Sequence, residues 1–98
     1  GCNDRVQLAA LGAELNRRVL RRWMVEGVGV TDPSSTWVDV TAELAQDVTL
    51  EQGVLVRGAT RIGQGARVGA YAILTDAVIP AGCVVAPFSQ FDADGVQG

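Results

Sequence analysis

Residues 38–73 divide into six blocks of six: VDVTAE, LAQDVT, LEQGVL, VRGATR, IGQGAR and VGAYAI. A five-residue block, LTDAV (74–78), follows, and IPAGCV, VAPFSQ and FDADGV then carry the pattern to residue 96. The first position holds Val38, Leu44, Leu50, Val56, Ile62, Val68, Leu74, Ile79, Val85 and Phe91, all apolar. The fifth holds Ala42, Val48, Val54, Thr60, Ala66, Ala72, Val78, Cys83, Ser89 and Gly95, all small or β-branched. A unit this short cannot bury its own apolar face, so it must stack on its neighbours. Six residues make one side of a triangular prism, and three sides make a coil of about 18 residues that rises about 4.8 Å. The first position points into the prism and forms the structural core. The fifth points in near a corner, where only a small side chain has room. A β-sandwich would instead show two-residue alternation with strands spaced every 8–12 residues or so. The columns exclude it and predict a mainly β chain, a parallel β-helix of about three coils over 38–98.

Residues 4–26 read as one amphipathic helix, with Asn3 or Asp4 as its N-cap. Leu8, Leu15, Val19 and Trp23 share a face that Ala9, Ala13, Leu20 and Met24 widen. Arg17, Arg18, Arg21 and Arg22 lie opposite, with Glu14 among them, and Gly27 stands where a C-terminal glycine ends a helix. The expected organisation is therefore a linker helix over 1–27, a connector over 28–37 and the β-helix over 38–98. Asp32-Pro33-Ser34-Ser35 is a turn sequence within the connector, and Trp37 opens the repeat as a packing anchor. The last coil leaves unpaired backbone groups, and residues 92–98 are expected to fray.

The chain has 98 residues and a net charge of −3, which gives no reason to expect nucleic acid or an anionic membrane as partner. The charge is uneven: residues 1–26 carry five Arg against three acids, and residues 27–98 three Arg against eight. The Arg row reads first as a solvated face near a helix C-terminus, where cations interact well with the dipole. An acidic partner surface is the alternative. There is no His and no Lys. Cys2 and Cys83 lack metal-ligand spacing and read as two reduced thiols. No stretch reads as a signal peptide or membrane span, which points to the cytoplasm.

The opening Gly1-Cys2-Asn3-Asp4-Arg5-Val6-Gln7-Leu8-Ala9 resembles the Gly-Val-Asn-Asp-Arg-Val-Gln-Leu-Ala segment of a known family. That family is the bifunctional bacterial N-acetylglucosamine-1-phosphate uridyltransferase/glucosamine-1-phosphate acetyltransferase. The order that follows is also similar: helix, Gly27-Val28, Asp32-Pro33, Trp37-Val38-Asp39, hexads. The Arg-rich flavour looks like actinobacterial members, and after about Val68 only the hexad pattern matches. The resemblance implies left-handed coils, a long linker helix and assembly as a parallel homotrimer. In its full form the family makes UDP-N-acetylglucosamine for cell-wall synthesis, using acetyl-CoA in one reaction and UTP with magnesium in the other. It implies a magnesium position at Asn3. A lone Asn carbonyl needs carboxylate or phosphate oxygens beside it to hold that ion, so Asn3 reads better as a cap.

Acetyl transfer to an amine needs a general base with a pKa near neutral, usually His. Without His or Lys, with Tyr71 expected on the prism surface and with no catalytic pairing evident in the sequence for Asp76, Asp92 and Asp94, no catalytic residue is assigned. The chain starts at Gly1 without Met and reads as a truncated or engineered piece of such an enzyme. Its own role would be a structural, trimerising scaffold with no cofactor. Two alternatives stay open: a minimal hexapeptide-repeat acyltransferase binding acetyl-CoA between chains, and a binding module using the Arg face.

Overall fold

The computed structural model describes residues 2–93 and 95–96, with side chains from Asp4 to Ala93. Helix α1 (Cys2–Val25) is followed along the chain by β1 (Gly29–Val30), β2 (Trp37–Val38), β3 (Glu43–Leu44), β4 (Thr49–Leu50), β5 (Leu55–Arg57) and β6 (Arg61–Ile62). Then come β7 (Arg67–Val68), β8 (Ile73–Thr75), β9 (Val78–Ile79), β10 (Val84–Val85), β11 (Gln90–Asp92) and β12 (Gly95–Val96). Every third strand pairs in parallel, which gives the three faces of a prism. Face one is β1-β4-β7-β10, face two β2-β5-β8-β11 with β12 added, and face three β3-β6-β9. The chain is a left-handed parallel β-helix preceded by one helix.

The register fixes the coil length. Val38 pairs with Val56, Val56 with Leu74, Leu44 with Ile62 and Leu50 with Val68, each 18 residues on. Across the short block Ile62 pairs with Ile79, Val68 with Val85 and Leu74 with Phe91, each 17 residues on. Nine of the ten first-position residues are buried, and Phe91 is partly buried at the far end.

The short block corrects the fifth column. Val78 is 72% exposed, and Ala77 is buried in its place. Arg61, the sixth residue of its block, pairs with Val78, and Arg61 N–H bonds to the Ala77 carbonyl at 2.8 Å. The missing residue therefore lies at the corner, where Asp76 adopts a φ of 50°. Buried Thr60 completes the junction: its hydroxyl donates to the Arg57 carbonyl at 2.7 Å and accepts from Ala77 N–H at 3.2 Å. Cys83 is also exposed, because among the described residues no strand stacks beyond β10.

The prism begins earlier than the repeat does. β1 falls inside the stretch expected as a connector, pairs with β4 in parallel and makes face one four strands tall. Val30 pairs with Leu50, 20 residues on, and the Asp32 turn takes up the extra length. There the Asp32 carboxylate accepts from the Ser34 N–H and hydroxyl, at 3.2 and 2.7 Å. At the other end the chain folds back. β12 pairs antiparallel with β11 (Phe91 with Val96, Asp92 with Gly95); the fraying expected over 92–98 falls in part on residues 94, 97 and 98, which lie outside the described set.

Helix α1 already includes Asn3 and Asp4, so they stand in its first turn instead of capping it. Gly27 does end it: at φ 101° it lets Val28 N–H reach the Trp23 carbonyl and Gly27 N–H the Met24 carbonyl, which satisfies the last turn. The helix packs on β1 and β2, at the end of the prism. Leu20 and Trp23 enter the same core cluster as Val28 and Val38, with Val19 packed beside them. A 24-residue helix is about 36 Å long and overhangs the stack. Leu8 (67% exposed), Leu15 (53%) and Met24, expected on the buried face, are exposed, as are Ala9 and Ala13. The docked face centres instead on Asn16, Leu20 and Trp23.

Candidate functional site

The interior offers no chemistry. Its columns are aliphatic, and its two buried hydroxyls are committed to the backbone: Thr60 to Arg57 and Ala77, and Thr36 to the Asp32 carbonyl at 2.8 Å. Among the described residues no group of three or more His, Cys, Asp or Glu could hold a metal ion. Asn3, the family magnesium position, lies in the first turn of α1 and its side chain is outside the described set. Tyr71 is on the surface, as expected.

The corner carboxylates are structural. Asp76 Oδ1 accepts from Ala59 N–H at 2.8 Å, and Asp39 Oδ2 accepts from Gly58 N–H at 2.8 Å while Oδ1 takes the Trp37 indole N–H at 3.1 Å. Each ties one coil to a neighbour or holds a local turn. Gly58 has to be glycine here, since at φ 65° an added Cβ would stand 2.1 Å from Asp76 Oδ1.

The outward rungs separate the faces. Glu43 and Arg61 pair at 3.3 Å on face three, and Glu51 and Arg67 at 3.0 Å on face one. Exposed pairs of this kind add at most about 1 kcal/mol each, but they leave those strands charged and solvated. Face two carries Trp37, Leu55 and Ile73 in register instead. Beside it, on the edge shared with face one, Tyr71 and Phe88 stack with ring centroids 5.4 Å apart and planes within 12°. Both hold φ at 61°, which L side chains rarely adopt.

The Arg row is partly engaged within the helix. Glu14 bonds to Arg17 and pairs with Arg18 at 3.4 Å, and Arg22 lies over the Trp23 ring at 4.9 Å. Hydrogen bonding to Arg17 first, then its charge, holds the Glu14 carboxyl below its ordinary value. A groove lined by Arg17, Arg18, Arg21, Leu20, Met24 and Pro33 runs between the helix and the Asp32 turn.

One structural residue escaped the sequence reading. Asn16 is buried, and its side-chain amide bonds to β2: Nδ2 donates to the Thr36 carbonyl at 2.7 Å, and Oδ1 accepts from Val38 N–H at 3.0 Å. The signal for it was a lone polar residue one turn before Leu20, in line with Trp23.

A docked N-terminal helix on a stacked six-residue repeat defines the class of hexapeptide-repeat β-helix proteins. Over 85 residues, 87% of its length, the chain is 54% identical to the bifunctional protein GlmU of Kineococcus radiotolerans and, over an equal span, 56% identical to that of Micrococcus luteus. The match to GlmU of Rhodococcus jostii takes in the whole chain at 51% identity. Over the segment it spans, the chain is similar to actinobacterial GlmU proteins. It covers 17% of the length of the first two relatives and 23% of the third. The Rhodococcus match runs over 114 positions against the 98 residues here, so that relative carries residues within the matched span that this chain lacks. No family model matches the chain. No described helix is long and apolar enough to cross a membrane.

Proposed function

We propose that these residues serve as the structural, trimerising stem of a GlmU-type enzyme that makes UDP-N-acetylglucosamine in the cytoplasm for cell-wall synthesis. The observation that carries this reading is the match at 51–56% identity along a segment whose polar groups are spent on building coils. In the full enzyme, acetyl-CoA and magnesium would be held by residues this segment does not supply; Asn3 would join the magnesium site only beside carboxylate and phosphate oxygens. The helix would set the distance between the stem and whatever precedes it, and the prism would gather three chains in parallel. Acetyl transfer needs a base near neutral pKa, and the chain has no His or Lys to act as one.

Light scattering and an acetyl-CoA turnover assay on the 98-residue chain test both halves of the reading. The expected result is three times the monomer mass and turnover at background. A strictly monomeric chain would overturn the trimer. Turnover above background would instead favour a minimal acyltransferase working between chains.

A further inference from the structure

A triangular prism in a cyclic trimer turns one edge toward the symmetry axis and sets the two adjoining faces against its neighbours. The three edges of this prism differ in what they would bring together. The edge between faces two and three carries Asp39, Arg57 and Asp76. Three copies would crowd like charges there, and the two carboxylates are committed to Gly58 and Ala59 of their own chain. The edge between faces three and one carries Asp47 and then turns on Gly65 and Gly82, where an added Cβ would meet nothing within 4 Å. Its large exposed side chains there are the polar Gln46 and Gln64, with no aromatic ring to bury.

The edge between faces one and two is of another kind. Its upper coils, residues 69–73 and 86–91, hold no charged residue. Tyr71 and Phe88 project from it, 50% and 76% exposed, with their rings stacked. One coil below, Gly53 yields space to the phenol ring: an added Cβ would stand 2.3 Å from Tyr71 Cδ1. Gly53 has a φ of 73° at the corresponding corner, and Tyr71 and Phe88 keep that left-handed backbone without being glycine. Within one chain the two rings touch each other and Gly53, and the rest of their surface stands exposed on the uncharged upper part of this edge. Outlying backbone of this sort is retained where a contact depends on it.

We propose that the Tyr71–Phe88 edge faces the threefold axis, so that its partners are two further copies of this chain. The inference rests on the trimer reading above. Across the axis the aromatic rings of three chains bury one another. The Leu55 and Ile73 rungs of face two then meet the neighbour's face one, where Arg67 and Glu51 stand at the rim.

The test replaces both aromatics, Tyr71→Asn with Phe88→Asn, and uses Val40→Asn on another edge as the control. Asn tolerates positive φ better than either aromatic, so the coil is kept. Light scattering is expected to show about a threefold fall in mass for the double variant, an unchanged mass for the control, and parent-like circular dichroism for both. A trimeric double variant with that dichroism overturns the edge assignment alone, whereas a monomeric or dimeric parent overturns the trimer itself. Independently, Tyr71→Cys in a Cys2→Ser, Cys83→Ser background leaves one thiol per chain and should give covalent dimers with a short bismaleimide. A trimeric sample that yields no such product also overturns the assignment.

Discussion

Asn16 and Val38 are joined by a hydrogen bond that a neighbouring strand would otherwise make: the side-chain Oδ1 takes the backbone N–H of β2 at 3.0 Å. With Nδ2 on the Thr36 carbonyl at 2.7 Å, one amide stands in for a peptide group of a preceding coil. The first coil of face two is an edge strand, and its backbone groups need a partner where the helix shields them from water. Asn16→Ala strips both partners at once. The expected loss is about 2 kcal/mol, read as a lower denaturation midpoint at unchanged slope. Asn16→Asp restores the acceptor but sets a carboxylate against the Thr36 carbonyl, and it should be no better than alanine.

Thr60→Val keeps the shape and removes the hydroxyl that bridges Arg57 and Ala77. Ala77 N–H then lies buried without its acceptor, at a cost of about 1–3 kcal/mol. Thr41, whose hydroxyl donates to the Gly58 carbonyl at the surface, is the comparison. Thr41→Val should cost well under half as much in the same denaturation experiment.

Gly63 and Gly65 share one hexad and fail in different ways when given a side chain. Gly65 has a φ of 74° and open space around its Cβ, so Gly65→Ala costs conformation alone, about 1 kcal/mol. At Gly63 the added carbon would lie 2.4 Å from the backbone nitrogen of Ala81 in the next coil, which cannot step aside. Gly63→Ala should cost about 3 kcal/mol or more. Thermal melts of the two variants check the order.

The Asp32 turn carries a pH signature. Hydrogen bonds from Ser34 first, and then Ser35, hold its carboxyl below the ordinary value. A depressed folded pKa stabilises the fold above the unfolded value of about 4 and loses that contribution as pH falls through the folded value. The melting temperature of Asp32→Asn should therefore lie below the parent at neutral pH, and the gap should close in acid.

The columns were legible because nine six-residue blocks and one of five keep the same first position, and burial of Val38 through Val85 follows from it. The exact phase of the short block was not. Ala77 and Val78 are both acceptable at a narrow corner, so the pattern alone cannot say which points inward; only pairing between Arg61 and Val78 decides. The helix shows the same limit. Its apolar residues point in two directions, toward Leu20 and toward Leu8, and a helical wheel ranks them by size. Docking was settled by Asn16, whose polar side chain a hydrophobic ranking discards. A candidate interface at Phe88 was also hidden, since a fourth-position residue belongs to neither inward column.

The 17-residue coil shows that this architecture keeps its rows aligned without counting. One residue is gone at the Asp76 corner, yet Ile79, Val85 and Phe91 return to their columns, because each strand takes its place from the rung beneath it. Alignment is thus restored locally, turn by turn, and a length change at a corner does not propagate. The corner at Ala59 and Asp76 is consequently a natural port for splicing in a foreign loop, and lineages of this stem could trade segments there while leaving the hydrophobic thread intact.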